Sequence, residues 1–325
     1  MKPFFSILLV ALMSPLAGAE SDRPYINDKK APENRKDLEV IQKALMEALP
    51  KAREATVCLD LGEGSGSGVI VSPDGLVLTA AHVSMGVNKD LTVIMEDGRR
   101  LKAESLGLHA ATDAAMVRIL EDGPFPFAEV ETLDTTRLGD WVFALGHSGG
   151  FDENRGSVVR LGRLVRTASS TIQSDCILIG GDSGGPLFDL SGRVIGIHSR
   201  VGQHKLVNMH VPTRVFVQHW DQMLNSEFIG EGPFASKPEK GKGFLGIATE
   251  ASEDGLKITK VGEDSPAAKA GLEVGDIIVK INGQELADRA ALQALLMEMA
   301  ADDKLEIEIT RNGEPQTIQL KLGAR

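Results

Sequence analysis

Three short stretches carry residue types that can do chemistry together. Residues 179–188 read IGGDSGGPLF, which sets one serine, Ser183, among four glycines and a proline. A hydroxyl is a weak nucleophile at neutral pH; it needs a base within hydrogen-bonding reach, and the base needs an orienting partner. The base candidate is His82 in LTAAHV, where an apolar strand ends in two small residues and then an imidazole. The orienting carboxylate is Asp113 in TDAAMV, directly before another apolar strand. A sharp turn through Gly181-Asp182-Ser183 can aim the N–H groups of Gly181 and Ser183 at one point, as a developing oxyanion requires. A side chain at Gly181 would obstruct that approach, and Gly184 and Gly185 let neighbouring backbone pack close behind.

The elements that must position these groups are short. Residues 36–49 carry Leu38, Ile41, Leu45 and Leu49 at helical spacing, and Pro50 is expected to end that helix. From Thr56 to about His219 the pattern changes to brief apolar strands punctuated by turns such as Pro73-Asp74-Gly75 and Asp97-Gly98. Further runs lie at 114–119, 140–146, 157–165 and 193–198, which predicts a barrel or sandwich. Residues 226–242 hold glycine, proline and charge without periodicity and read as a linker. Beyond it the pattern predicts a small α+β unit: strands at 243–247, 256–261 and 277–281, and a short helix at 266–270 stopped by Gly271. A second helix carries Leu292, Leu295, Leu296 and Met299 on one face, and a hairpin turns at Asn312-Gly313.

LTAAH, TDAAMVRI and GDSGGP, in the order His, Asp, Ser, resemble the chymotrypsin-like serine proteases. Gly66-Ser67-Gly68-Val69-Ile70, Asp97-Gly98-Arg99, Ile172-Gln173-Ser174-Asp175 and Val194-Ile195-Gly196-Ile197 resemble the corresponding stretches of the HtrA family. The resemblance covers roughly residues 40–325. It implies a mostly β protein: two six-stranded chymotrypsin-like β-barrels with the catalytic site between them, followed by a small α+β PDZ domain. Carried over, His82 is the general base, Asp113 its orienter, Ser183 the nucleophile, and Gly181 and Ser183 the oxyanion-hole donors. The chain departs from the family at Asp182, where asparagine is usual, and at Gly146-His147-Ser148-Gly149-Gly150, where the family has GNPFG. In the chymotrypsin branch that aspartate pairs with a new N-terminus after activation, but no matching activation sequence occurs here, so the partner of Asp182 is open. Six residues before the nucleophile stands Ile177, where trypsin-like enzymes carry aspartate. An apolar S1 base predicts a medium aliphatic P1 residue.

In the second unit, Gly243-Phe244-Leu245-Gly246-Ile247 resembles the carboxylate-binding loop of PDZ domains. Ser265-Pro266-Ala267-Ala268, Val274-Gly275-Asp276-Ile277-Ile278 and Ile281-Asn282-Gly283 resemble the HtrA-type PDZ pattern. Backbone N–H groups near Phe244–Gly246 can cradle a terminal carboxylate, and the strand from Gly246 can add a peptide as an extra strand. Leu245 and Ile247 are assigned to the groove, Leu292 and Leu296 to its wall, and Leu295 and Met299 to the core. One such domain fits in the chain. The one-PDZ members of the family form trimers, so the resemblance implies a homotrimer.

The domain boundaries expected are 1–19 for a leader, 20–50 for an N-terminal segment, 51–225 for the protease domain, 226–242 for the linker and 243–325 for the PDZ domain. The leader reading rests on Lys2, the apolar run Phe4 to Met13 and the Ala17-Gly18-Ala19 cleavage pattern, so the protein is expected to be exported, to the periplasm or beyond. Residues 20–35 are polar and expected to be mobile. With 42% hydrophobic and 25% charged residues the chain can build cores, and its net charge of −11 argues against nucleic acid as a partner. His198, His204 and His210 are six apart and fit no compact ligand motif, so no metal or other cofactor is expected. Cys58 and Cys176 can form a disulfide in an exported chain or remain buried thiols, the latter slightly preferred. The expected function is an HtrA-like serine endopeptidase acting on unfolded or damaged envelope proteins, with C-terminal peptides bound at the PDZ groove. The alternative is a proteolytically silent binding module or chaperone that keeps the barrels as a scaffold.

Overall fold

In the computed structural model, which describes residues 23–203, 207–286 and 288–324, the apolar runs become two closed barrels. The first is built from β1 (Thr56–Asp60), β2 (Ser65–Ile70), β3 (Leu76–Ala80), β4 (Asp90–Ile94), β5 (Arg100–His109) and β6 (Ala114–Ile119). They run in the order β5-β4-β1-β2-β3-β6, and pairing of β5 with β6 closes the ring. The second holds β7 (Trp141–Gly146), β8 (Val158–Thr167), β9 (Ile172–Ser174), β10 (Pro186–Asp189), β11 (Val194–Val201) and β12 (Asn208–Pro212). Closure removes exposed sheet edges. Strand β3 is buried at all five positions, which is why it reads as a continuous apolar run rather than an alternating one.

Helix α1 (Arg35–Ala55) is capped at Asn34, whose side chain accepts from the Asp37 N–H, and it does not stop at Pro50. A proline inside a helix loses a hydrogen bond and crowds the preceding turn. Packing outweighs that cost: Ala52 and Ala55 are buried in the core, and the Thr56 N–H and hydroxyl both bond to the Ala52 carbonyl. The segment before α1, expected to be mobile, is clamped to the second barrel. Arg23 pairs with Asp140, the Trp141 N–H donates to Asn27 Oδ1 at 2.8 Å, and Arg163 donates to the Lys29 and Lys30 carbonyls. The leader assigned to residues 1–19 lies outside the described residues.

Residues 226–242 are not all free chain. Within them β13 (Phe228–Ile229) adds in parallel to β5 opposite Leu108 and His109, and the Phe234 N–H donates to the Ala110 carbonyl. The second unit forms two sheets from β14 (Gly243–Phe244), β15 (Ile247–Ser252), β16 (Gly255–Val261), β17 (Ile277–Ile281), β18 (Gln284–Glu285), β19 (Lys304–Arg311), β20 (Glu314–Lys321) and β21 (Gly323–Ala324). Its main order is β15-β16-β17-β19-β20, with β14 pairing β21 apart. It meets the first barrel through ion pairs: Lys304 and Lys321 on Glu104, and Lys89 on Asp302.

Cys58 lies in β1 and Cys176 follows β9, both buried and both free. Burial pushes each thiol up to about 11, so neither is a nucleophile near neutrality.

The stretch after the second barrel bears on the first. Met223 is fully buried in the main core, three residues before the turn that leads into β13. Met223→Ala is expected to cost about 2–5 kcal/mol in urea denaturation, the usual range for a large-to-small core change. A loss below about 1 kcal/mol would show that this strap does not support the barrel.

Candidate active site

Strand register places the first two groups. Strands β3 and β6 pair antiparallel with Ala80 opposite Ala114. Two residues past Ala80, on the short helix Ala81–Ser84, stands His82; one residue before Ala114 stands Asp113. The Ala81 N–H donates to the Asp113 carbonyl at 3.1 Å, which fixes the two chain ends to each other. His82 Nδ1 then lies 2.9 Å from both Asp113 carboxylate oxygens, and the His82 N–H also donates to Oδ1 at 3.1 Å. Asp113 is completely buried and takes φ +70°, a conformation that aspartate tolerates better than most residues. A second residue reaches it from the other barrel: Ser199 Oγ, near the end of β11, donates to Oδ2 at 2.5 Å. Sequence reasoning missed Ser199. Its only signal is a hydroxyl near the end of the apolar run 194–198.

The Ser183 turn is wedged between the barrels. The Ser67 N–H of β2 donates to the Ser183 carbonyl at 2.7 Å, and the Gly184 N–H donates to the His198 carbonyl at 2.7 Å. Gly184 has φ +84°, and a Cβ there would sit 2.2 Å from the Ser67 carbonyl oxygen. Gly181 has φ +92°, and its Cβ would sit 2.4 Å from the His147 carbonyl oxygen. Both positions therefore exclude side chains for two reasons at once, handedness and space. Through the turn, Asp182, Gly184 and Gly185 spend their N–H groups on the carbonyls of Ile179, His198 and Asp182. Among the described residues, the N–H groups of Gly181 and Ser183 have no acceptor. The Ser183 hydroxyl likewise has no hydrogen-bond partner here.

A cavity of about 310 Å³ opens beside Ser183, lined by Leu178, Ile179, Gly180, Ser199, Arg200 and Val201. Ile177, expected at the base of the S1 pocket, is not part of it and is 45% exposed. The reason is local alternation: Cys176 and Leu178 are both locked into the second barrel's core, so Ile177 between them is turned outward. Leu178 and Ile179 supply the apolar wall instead. The Arg200 guanidinium at this cavity lies 5.0 Å from the ring of Phe234.

The partner of Asp182 is also visible. Its buried carboxylate accepts from Ser148 Oγ at 2.6 Å, from the Ile179 N–H at 2.8 Å, and pairs with Arg160 at 2.9 Å. Behind the turn, His198 and His210 form a buried neutral pair. His198 Nε2 donates to the Leu145 carbonyl at 3.1 Å, which leaves its Nδ1 to accept from His210 Nδ1 at 3.0 Å. His210 Nε2 then accepts from Ser174 Oγ at 2.8 Å.

In the second unit a cavity of about 300 Å³ lies between the loop Gly243–Ile247 and the helix Arg289–Met297. Phe244, Leu245, Gly246, Ile247, Leu292 and Leu296 all line it. Leu245 is 2% exposed and also belongs to the core, so its side chain does less in the groove than its backbone. The N–H groups of Leu245 and Gly246 have no acceptor among the described residues, and β15 is a sheet edge facing that helix. Leu295 and Met299 pack against the core.

Two barrels with a histidine–aspartate pair and a serine turn at their seam define a trypsin-like peptidase fold. Comparison with known proteins agrees: the trypsin-like peptidase domain family matches residues 66–197, and the PDZ domain family matches residues 243–322. The chain is 34% identical over 280 residues to a probable periplasmic serine endoprotease, DegP-like, from Pseudomonas savastanoi pv. phaseolicola, covering 80% of this chain and 56% of that protein. A protein of the same description from Marinomonas sp. is 34% identical over 275 residues, covering 80% and 57%. Among solved structures, the HtrA-type protease AlgW with a tripeptide matches at 25% identity and a TM-score of 0.50, covering 88% of this chain and 97% of that one. The chain belongs to the HtrA family of serine proteases, with a PDZ domain following the protease barrels. It spans little more than half the length of the curated relatives it matches.

Burial sets the acid limit of this site. It pushes His147 down to about 4, His198 down to about 3, and His210 well below the ordinary 6.5. Each ring is neutral when folded and free to protonate when unfolded, so the unfolded state binds more protons below pH 6.5 and stability falls with pH. The expected loss is up to about 1.4 kcal/mol per pH unit per histidine between roughly pH 6.5 and 4. Urea denaturation at pH 7.5 and pH 5 measures it, and equal stability at the two values would contradict the assignment of neutral buried rings.

Proposed function

We propose that this protein is an exported serine endopeptidase that hydrolyses peptide bonds of unfolded polypeptides, guided by peptide binding at its PDZ domain. The observation that carries the reading is the conjunction at the barrel seam. His82 is held by the buried Asp113, and in the Ser183 turn only Gly181 and Ser183 leave their N–H groups unspent over residues 181–185.

The chemistry follows from those groups. Ser183 Oγ attacks the scissile carbonyl carbon while His82 Nε2 takes the hydroxyl proton. Asp113 holds the His82 Nδ1–H and offsets the charge of the imidazolium; Ser199 and the His82 N–H hold that carboxylate in place. The carbonyl oxygen becomes an oxyanion that the Gly181 and Ser183 N–H groups receive. Collapse expels the amine, protonated by His82, and leaves an acyl-enzyme. Water then attacks with His82 again as base, releasing the acid and the free serine. A peptide C-terminus fits the second cavity by the same logic: Leu245 and Gly246 offer N–H groups to the carboxylate, and β15 offers an edge to the strand. Relatives named as periplasmic and the leader-like first 19 residues support the periplasm as the compartment.

Fluorophosphonate labelling of the purified protein beside Ser183→Ala is the direct test. Labelling of the wild type alone is expected, either unaided or on addition of C-terminal peptides. Silence under both conditions would leave a binding module that keeps the barrels as a scaffold.

The lining of the cavity sets the expected specificity. Leu178, Ile179 and Val201 give it apolar walls, no carboxylate among the described residues lines it, and Arg200 adds a positive charge. A cationic P1 side chain would be both unpaired and repelled there. Cleavage after Val, Ala or Leu is expected to exceed cleavage after Lys or Arg by at least about tenfold in kcat/KM. A peptide library read by mass spectrometry checks it, and a preference for Lys or Arg would reject the assignment of this cavity as S1.

A further inference from the structure

We propose that Arg160 and Ser148 are positioning residues, which hold the oxyanion turn in its working shape through the buried carboxylate of Asp182. The proposal rests on the protease reading of Ser183 and deepens it.

Asp182 adjoins the nucleophile and is completely buried. A carboxylate in such a place must be paired and fully hydrogen-bonded to remain there. Three groups achieve this. Ser148 Oγ donates to Oδ1 at 2.6 Å, the Ile179 N–H donates to Oδ2 at 2.8 Å, and Arg160 of β8 reaches Oδ2 at 2.9 Å. The same Arg160 nitrogen donates to Ser148 Oγ at 2.7 Å. The hydroxyl thus accepts from the guanidinium and donates to the carboxylate, and the three side chains close a triangle. Ser148 is itself pinned, because Arg155 donates to its carbonyl at 2.6 Å.

That triangle decides which way the peptide groups of the turn face. The Gly149 N–H, next to Ser148, donates to the Gly180 carbonyl at 2.7 Å. In a trans peptide the following N–H points the opposite way, so the Gly181 N–H is turned away from the 147–150 loop and left without an acceptor. Ser67 Oγ holds the Gly181 carbonyl at 2.8 Å from the other barrel. Two adjacent glycines offer little resistance to rotation of the peptide between them. With Asp182 unanchored, the Gly180–Gly181 peptide is free to turn its carbonyl into the position the oxyanion must occupy. The integrity of the turn is therefore set from β8 and the 147–150 loop.

The test uses the full protein, a peptide substrate with an aliphatic P1 residue, and fluorophosphonate as the acylation probe. Arg160→Met removes the cation and leaves the carboxylate buried. It is expected to lower kcat and the acylation rate by about 100-fold or more, the range for loss of an oxyanion donor, with KM within about threefold. Arg160→Met/Asp182→Asn removes both charges and is expected to recover at least tenfold of that loss. A purely structural role would lower the folded fraction seen by circular dichroism and leave the rate per folded molecule unchanged. If Arg160→Met does not fold, Ser148→Ala carries the test. A fall in kcat of about tenfold at constant KM supports the proposal, and a kcat within twofold of wild type overturns it. Normal rates in folded Arg160→Met also overturn it while leaving the protease reading intact. A wild type that never labels removes both.

Discussion

Ser67 is the residue on which the site's assembly depends. It belongs to the first barrel, yet all its polar groups hold the second or the strand beside it. Its N–H binds the Ser183 carbonyl at 2.7 Å, its Oγ donates to the Gly181 carbonyl and accepts from the His147 N–H, each at 2.8 Å, and its carbonyl accepts from Thr79 Oγ1 at 2.8 Å. A backbone turn full of glycine has many shapes of similar energy. Fixing it at two carbonyls from an opposing strand selects one. The histidine and aspartate come from the first barrel and the serine from the second, so catalytic geometry and barrel docking are the same constraint.

The buried charges follow the same economy. Asp113 and Asp182 are both completely buried, and each is met by several donors rather than by a single cation. Such groups stabilise the fold little, since desolvation offsets most of the attraction. What they supply is direction. On the proposed reading, one fixes the tautomer and aim of His82, the other the orientation of the Ser183 turn. Each of these contacts compensates a buried charge, so removing a partner leaves that charge exposed to its full desolvation cost rather than merely weakening a bond.

Much of this was legible in the sequence where chemistry and spacing coincide. His82 follows a short apolar strand, Asp113 precedes one and Ser183 lies in a glycine run, and the barrels bring His82 and Asp113 together through the pairing of β3 with β6. The groups that support them were not legible. Ser148, Arg160 and Ser199 are ordinary residues in sequence and gain their roles only when strands far apart in the chain become neighbours. Ile177 failed for a different reason: counting back from the nucleophile gives a position, but the direction of a side chain depends on which neighbours the core has claimed. Pro50 and the docked part of residues 226–242 show tertiary packing overriding local signals, through Ala52 and Ala55 in the one case and β13 in the other.

The two domains then use one device for two ends. In each, a glycine at positive φ, Gly181 or Gly246, turns consecutive or near-consecutive N–H groups away from any acceptor among the described residues. Such a cluster of donors attracts negative oxygen. At Leu245 and Gly246, on the proposed reading, the oxygen belongs to a carboxylate that is charged before it arrives, so the donors contribute to affinity. At Gly181 and Ser183, on the same reading, the oxygen is a neutral carbonyl on arrival and becomes charged only as Ser183 adds to it. Donors fixed in advance therefore favour the transition state over the bound substrate, and the same interaction appears as rate. That difference explains why the protease turn is held so tightly. A binding loop can adjust as its ligand settles, whereas a turn that must meet a transient charge has no time to reorganise.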